Sequence, residues 1–382
     1  MGVLDGVKVV EVAGIGPGPF AAMVLADLGA DVLRIDRTGG GGLRLGDPAK
    51  DVLNRSRRSV ALDLKQPEAL EVLLDLVAEA DVLLEGFRPG VAERLGFGPE
   101  VCHERNPRLV FGRMTGWGQD GPQAQRAGHD LTYLATAGVV GHVEGPDGAP
   151  GIPMNLVGDF GGGGMLLVVG VLGALVERAT SGRGQTVDAA IVDGGALQMA
   201  MIYGMRAQGL WPGGRGRNLL DGGAPFYETY RCADGGYVAV GAIEPQFYAA
   251  LMTGLGLDGE DIAANQWDLA RWPEFGARLA EVFATRTRDE WAADLEPTEA
   301  CVAAVLEMEE AAEHPHVLAR GTITEAFGVR QPAPAPRFDR TPSAAPSPPA
   351  TPGQHTVEAL TDWGLDADRV EKLRAAGVVR QA

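Results

Sequence analysis

Two side chains capable of acid–base work stand about thirty residues apart, each in an unusual local setting. His129 lies in Arg126-Ala-Gly-His129-Asp-Leu-Thr-Tyr133. Asp159 lies in Asn155-Leu-Val-Gly-Asp159-Phe160, followed by the glycines 161–164 and the apolar run Met165 to Val176. A carboxylate at the mouth of a glycine-rich helix start is expected among unpaired backbone N–H groups, where the helix dipole favours negative charge. An imidazole on a second such turn supplies a partner able to face the same small carbon centre. That pairing suits carrying a proton from one face of a carbon to the other. Each residue also has a plainer reading. His129 fits a structural histidine, although Gly128, Asp130 and Tyr133 one helical turn on give it chemical company. Asp159 fits a helix N-cap contributing about 1 kcal/mol. Four successive glycines are costly inside a helix, so they read as letting a ligand approach the backbone. An N–H at that helix start would also donate a hydrogen bond to negative charge developing on a substrate carbonyl oxygen.

The elements that must position these residues alternate regularly. Val7 to Val12 reads as a buried strand, Pro19 to Leu28 as a helix and Asp31 to Ile35 as a second strand, a βαβ unit. Pro67 to Ala80 carries Leu70, Leu73, Leu74 and Val77 at helical spacing, with the proline in the first turn. Asp81 to Leu84, Arg108 to Phe111 and Gln185 to Val192 read as further strands, and Met165 to Arg178 as a helix. The pattern predicts a Rossmann-like, doubly wound parallel sheet over residues 1–195. A linker over 196–225 includes a mixed helix to Gln208 and a glycine-rich stretch. A smaller α+β domain follows over 226–325. It opens with a hairpin around Asp234-Gly235-Gly236 and includes a capping box of Thr287 and Glu290. The segment 326–382 begins proline-rich, hence extended, and ends in a helix returning to the large domain.

Composition sets bounds. The chain of 382 residues is 45% hydrophobic and 22% charged, ordinary for a soluble globular protein. Its net charge of −18 argues against nucleic-acid or anionic-membrane binding. The three cysteines (Cys102, Cys232, Cys301) and scattered histidines form no disulfide framework or metal-ligand spacing, so no metal is expected. The apolar run Met165 to Val176 is too short to span a bilayer. With no signal peptide evident, the expected location is the cytoplasm.

Two further clusters invite ligands. Gly14-Ile-Gly16-Pro-Gly18-Pro19 follows the first strand, and Asp36 ends the second, as in dinucleotide sites. Pro19 stands where the third glycine is needed and Pro17 removes an N–H, which argues against nicotinamide. Arginines gather at Arg34, Arg37, Arg44, Arg55, Arg57, Arg58, Arg88 and Arg94. Their forked donors match phosphate oxygens, although any single one also fits a solvated surface position. Met154, Met165, Met199, Met201 and Met205 fit either an adaptable apolar surface or plain core.

Several stretches resemble the α-methylacyl-CoA racemases of the family III CoA-transferase superfamily, along almost the whole chain. They include Val9 to Pro19, Gly29 to Arg37, Met114 to Gly118, Gly128 to Tyr133, Asn155 to Gly162, Leu220 to Pro225 and Gly241 to Tyr248. The resemblance implies an interlaced homodimer with active sites at the subunit interface. His129 and Asp159 would be the acid–base pair on opposite faces of an α-carbon, and Glu244 the glutamate that hydrogen-bonds the histidine. The CoA site would include Arg37, Leu62, Asp63, Leu64, Lys65, Gly86, Phe87, Arg88, Arg94, Gly128, Asp130, Leu131, Thr132 and Tyr133. The reaction would be 1,1-proton transfer at C2 of a 2-methylacyl-CoA thioester through an enolate, with no cofactor, since CoA is part of the substrate. A CoA transferase using Asp159 as nucleophile is the main alternative. A nicotinamide dehydrogenase and a non-catalytic acyl-CoA-binding protein are the others.

Overall fold

The computed structural model describes residues 2–39 and 46–382. They divide into two compact units. The first comprises residues up to Ala137, Met154–Gln198 and Leu318–Ala382; the second comprises Gly138–Pro153 and Met199–Val317. The expected boundaries shift accordingly. Gly138–Pro153 leaves the large domain because Arg215 holds it, donating from Nε to the Gly141 carbonyl at 3.1 Å and from Nη1 to Gly148 at 2.6 Å. The chain re-enters the first unit at Leu318, ahead of the expected 326.

The first unit is built on a seven-stranded sheet. Its strands are β1 (Lys8–Val12), β2 (Asp31–Arg37), β3 (Arg58–Leu62), β4 (Val82–Glu85), β5 (Val110–Thr115), β6 (Thr186–Ala190) and, from the C-terminus, Val379–Arg380. The order is C-terminal strand, β3, β2, β1, β4, β5, β6. All pairings are parallel except the C-terminal strand, which runs antiparallel to β3. Strands buried on both faces need continuous apolar runs, and Val9, Val10, Leu33, Val60, Leu83 and Val110 have no exposed surface.

The helices of this unit are α1 (Pro17–Asp27), α2 (Pro67–Glu79), α3 (Val91–Leu95), α4 (Pro99–Arg105), α5 (Asp130–Thr136), α6 (Leu166–Ser181) and α7 (Ile191–Gln198). They and the tail helices Thr356–Asp362 and Ala367–Ala375 form two cores. One joins α2 to the tail through Leu73, Leu76, Leu360 and Trp363; the other joins α1 to α6 through Leu25, Leu167 and Val171. The proline-rich segment is held by side chains of β2 and β3. Arg34 donates to the Ala350 carbonyl at 3.0 Å, and the Gly353 N–H donates to Ser59 at 2.8 Å.

The helix carrying Asp159 begins earlier than its apolar run suggests. Val157–Met165 is wound as a π-helix that continues into α6. The continuous segment Met154–Ser181 has 28 residues and is long and apolar enough to cross a membrane by length and composition. Within this unit, however, Leu167, Val168 and Val171 are buried in the core.

The second unit has its own three-stranded antiparallel sheet of Tyr227–Arg231, Tyr237–Gly241 and Val302–Ala304. Its core gathers Phe226, Tyr248, Trp272, Phe283 and Trp291. The Thr287–Glu290 capping box forms, with the Thr287 N–H donating to the Glu290 carboxylate at 2.9 Å.

Candidate active site

The sequence-derived candidates of the first unit fall along one edge of the sheet. Arg37 ends β2, Leu62 ends β3, Glu85 ends β4 just before Gly86, Phe87 and Arg88, and Thr115 ends β5 before Trp117. These are the C-terminal ends of parallel strands, where open α/β sheets bind ligands, and the strand order reverses between β1 and β4. β3 stops at Leu62, and Asp63 to Lys65 leave it as a turn. Arg88 and Arg94 are exposed, as is Arg37.

Asp159 sits over the glycine turn that follows β1. A Cβ on Gly16 would come within 3.2 Å of its Oδ2, and Gly16 is itself left-handed at φ +67°. A carboxylate therefore occupies the position where a dinucleotide pyrophosphate would need positive or neutral surroundings. Asp36 is likewise engaged, accepting from Arg34 Nε at 2.8 Å and Ser59 Oγ at 2.6 Å. Both observations join the two prolines in arguing against a dinucleotide site.

Asp159 is not a helix N-cap. It lies inside the first π turn, and its own N–H donates to Asp130 Oδ1 at 2.7 Å. The expectation that this N–H stabilises a substrate oxyanion is therefore also corrected: the donor is already used. Asn155, one turn earlier, donates from Nδ2 to Asp159 Oδ2 at 3.3 Å. Burial raises the Asp159 carboxyl above its ordinary value; the Asn155 bond opposes this, the Asp130 charge adds to it and His129 opposes it. His129 is the N-cap of α5 with an extended backbone, exposed, and adjacent in sequence to Asp130. Thr132 fixes that turn, accepting the His129 N–H at 3.1 Å and donating to its carbonyl at 2.7 Å. An imidazole and a carboxyl held above its usual range are thus joined through Asp130.

Tyr133 closes this side of the site. Its ring lies edge-on to Trp117, with centroids 4.7 Å apart. It fills the space beside two glycines: a Cβ on Gly116 would lie 2.0 Å from Cζ, and one on Gly128 2.5 Å from Cε1. Burial raises its hydroxyl; the Asp159 charge adds to the shift and Arg88 opposes it, so Arg88 bears on the same site.

The glycine run does not open the backbone to a ligand. A Cβ on Gly162 would meet the Gly195 nitrogen at 2.9 Å, and one on Gly164 would meet Phe20 at 2.6 Å and the Pro17 carbonyl at 2.8 Å. These glycines let the π segment pack against α1 and α7. Most of the arginine cluster is structural too. Arg34 pairs with Asp36, Arg55 with Asp27, Arg57 with Glu11 at 2.6 Å, and Arg58 with Asp31 and Asp362. The guanidinium groups of Arg55 and Arg57 are essentially buried. Arg44 lies outside the described residues. Among the described residues, Arg37, Arg88 and Arg94 have no ion-pair partner and stay available to a phosphate.

Glu244 stands at the N-cap of Pro245–Leu255 in the second unit. Of the five methionines, Met154, Met165 and Met201 are exposed and Met199 and Met205 partly so, which rules out plain core. Two site residues were not singled out from sequence. One is Asn155, which its spacing one helical turn before Asp159 could have flagged. The other is Glu85, which accepts the Phe87 N–H at 2.7 Å and Arg113 Nε at 2.9 Å and so shapes the Gly86–Arg88 turn.

Residues 4–356 match the model of CoA-transferase family III. The chain belongs to that family. An α-methylacyl-CoA racemase of Mus musculus is 46% identical over 380 residues, spanning 99% of this chain and 97% of its own length. The protein of the same name from Homo sapiens is 44% identical over 381 residues, spanning 98% and 97%. Among solved structures, a CAIB/BAIF family protein from Brucella suis superposes with a TM-score of 0.81 at 27% identity, covering 95% of this chain and 99% of that one. The large parallel-sheet domain is thus the architecture of family III proteins.

Proposed function

We propose that this enzyme is a cofactor-independent isomerase that interconverts (R)- and (S)-2-methylacyl-CoA thioesters by 1,1-proton transfer. The observation that carries the reading is the coupling of Asp159, its carboxyl raised by burial, to the His129 turn at the ligand edge of the sheet. The near-full-length similarity to proteins named α-methylacyl-CoA racemase supports it. One enantiomer loses its α-proton to neutral His129, the other to the Asp159 carboxylate, and the enolate is reprotonated from the opposite face. The mechanism requires the two groups in opposite protonation states, imidazole with carboxylic acid or imidazolium with carboxylate. A carboxyl raised above its ordinary value serves as an acid nearer neutrality than a solvated one does.

In this reading the CoA moiety lies along the strand ends. Arg37, Arg88 and Arg94 supply positive charge, Leu62, Asp63, Leu64 and Lys65 one wall, and Gly128 to Tyr133 the other. The enzyme acts as a homodimer. At the end of the π segment and along α6, the side chains of Met165, Val169 and Val176 form an exposed apolar row at helical spacing, and a second copy would cover it. Glu244 would orient His129 at the subunit interface.

The test is incubation of each enantiomer of a 2-methylacyl-CoA in deuterated water. Both enantiomers should acquire deuterium at C2 while optical purity decays. His129→Ala and Asp159→Ala should each slow exchange by about 10² to 10⁴-fold, the usual range of acid–base catalysis. Glu244→Ala should cost less. Near-normal exchange in either of the first two would remove that residue from the reaction. The CoA-transferase alternative, with Asp159 as nucleophile, predicts an aspartyl–CoA thioester trapped by hydroxylamine and no label at C2.

A further inference from the structure

We propose that Asp130 is a positioning residue: its carboxylate ties the backbone of Gly158 and Asp159 to the turn that carries His129, and so sets the spacing of the acid–base pair. This rests on the racemase reading and adds to it a role for a side chain otherwise placed only along the CoA wall.

Three observations carry it. The Asp159 N–H donates to Asp130 Oδ1 at 2.7 Å, and the Gly158 N–H favours the ionised form of the same carboxylate. A Cβ on Gly158 would lie 2.0 Å from that oxygen, so the clamp has room only against glycine. The segment starts abruptly, with Met154 left-handed at φ +56°, and the following residues are wound as π-helix. The first N–H groups of any helix lack partners within it. Here a carboxylate from another element supplies them, and a charge-assisted acceptor is about twice as strong as a neutral one. From His129 the path to Asp159 runs through one peptide bond, one side chain and a single hydrogen bond. A misplacement of about 1 Å between reacting groups costs on the order of 10²-fold in rate. A second carboxylate beside Asp159 is electrostatically unfavourable, and the positional function explains its presence.

The groups bearing on Asp159 are His129, Asp130, the Asn155 amide and Tyr133, with Arg88 beyond the tyrosine. Burial sets the upward shift of Asp159 and the Asp130 charge adds to it, so removing that charge lowers the Asp159 titration.

The experiment compares wild type with Asp130→Asn, Asp130→Ala and Gly158→Ala. It measures backbone amide exchange at residues 158 and 159, kcat and KM for C2 deuterium incorporation, and the pH profile. Asp130→Ala should lose amide protection and about 10²-fold in kcat, with KM changed less than about threefold. Asp130→Asn keeps an oxygen acceptor at nearly the same shape, so it guards against simple misfolding. It should lose less kcat and move the Asp159 limb to lower pH. Gly158→Ala should resemble Asp130→Ala. A rise in KM with kcat and amide protection intact would make Asp130 a substrate contact and overturn the proposal. Lost protection with unchanged kcat would overturn it equally. If wild type exchanges no α-proton, the racemase reading fails, whereas the amide-exchange result still decides whether the clamp exists.

Discussion

Burial and the Asp130 charge disfavour the ionised form of Asp159, while Asn155 and His129 favour it. The net direction is upward, which has a consequence for stability. A group whose folded-state pKa exceeds its unfolded value stabilises the fold only below the unfolded value, and that contribution is lost as pH rises through the folded one. At neutral pH an ionised Asp159 therefore weakens the fold. Asp159→Asn should leave the thermal midpoint at pH 7 equal to or above wild type, with the advantage shrinking toward pH 4, while activity falls by at least about 10²-fold. A lower midpoint at pH 7, followed by calorimetry, would mean that the carboxylate is structural. The residue types at this site were legible from sequence, since His129 and Asp159 stand in conspicuous settings. The N-cap role was not. Leu156 stands at the N-cap, the Asp159 N–H finds its acceptor on Asp130 of another element, and no local spacing announces a bond between residues 29 positions apart.

At the scale of elements, glycine decides how closely helices meet. A Cβ on Gly194 of α7 would lie 1.9 Å from the Gly162 carbonyl oxygen, a backbone-to-backbone overlap that no side-chain rotation relieves. Gly194→Ala should destabilise the enzyme by about 1–3 kcal/mol or more, as overpacking does, measured by urea denaturation. An effect below about 0.5 kcal/mol, the range of innocuous surface changes, would show that the two segments are not in contact. The sequence read the glycine run as access for a ligand. The cost of glycine in a helix was judged correctly, but the compensating partner lies on α7, beyond the reach of local pattern. The strands and their crossover helices were far more legible. Their apolar spacing reports burial directly, and the elements found lie within a few residues of those expected.

For the whole molecule, the chain's ends meet on one sheet. Trp363 is buried in the core beside α2 and donates from Nε1 to Asp31 at 2.9 Å, and Val379 pairs with Leu62. The tail is thus part of the unit that holds the candidate ligand edge of the sheet. The same unit leaves Val169 and Val176 at 66% and 73% exposure on α6, the face on which the homodimer proposal rests. Under the proposed homodimer reading, Val169→Asp with Val176→Asp should shift the sedimentation of the enzyme from dimer to monomer and abolish most activity. A double variant that still sediments as a fully active dimer would move the interface elsewhere. By itself the amino-acid order determined the parallel sheet, the second α+β unit and the choice of His129 and Asp159 as acid–base candidates, because hydrophobic period and turn chemistry act over a few residues. Only the tertiary structure decided which arginines remain free for a phosphate, what the glycines pack against and how His129 is tied to Asp159. Those outcomes depend on charges and backbone groups that meet through space, and their separation along the chain carries no trace of the meeting.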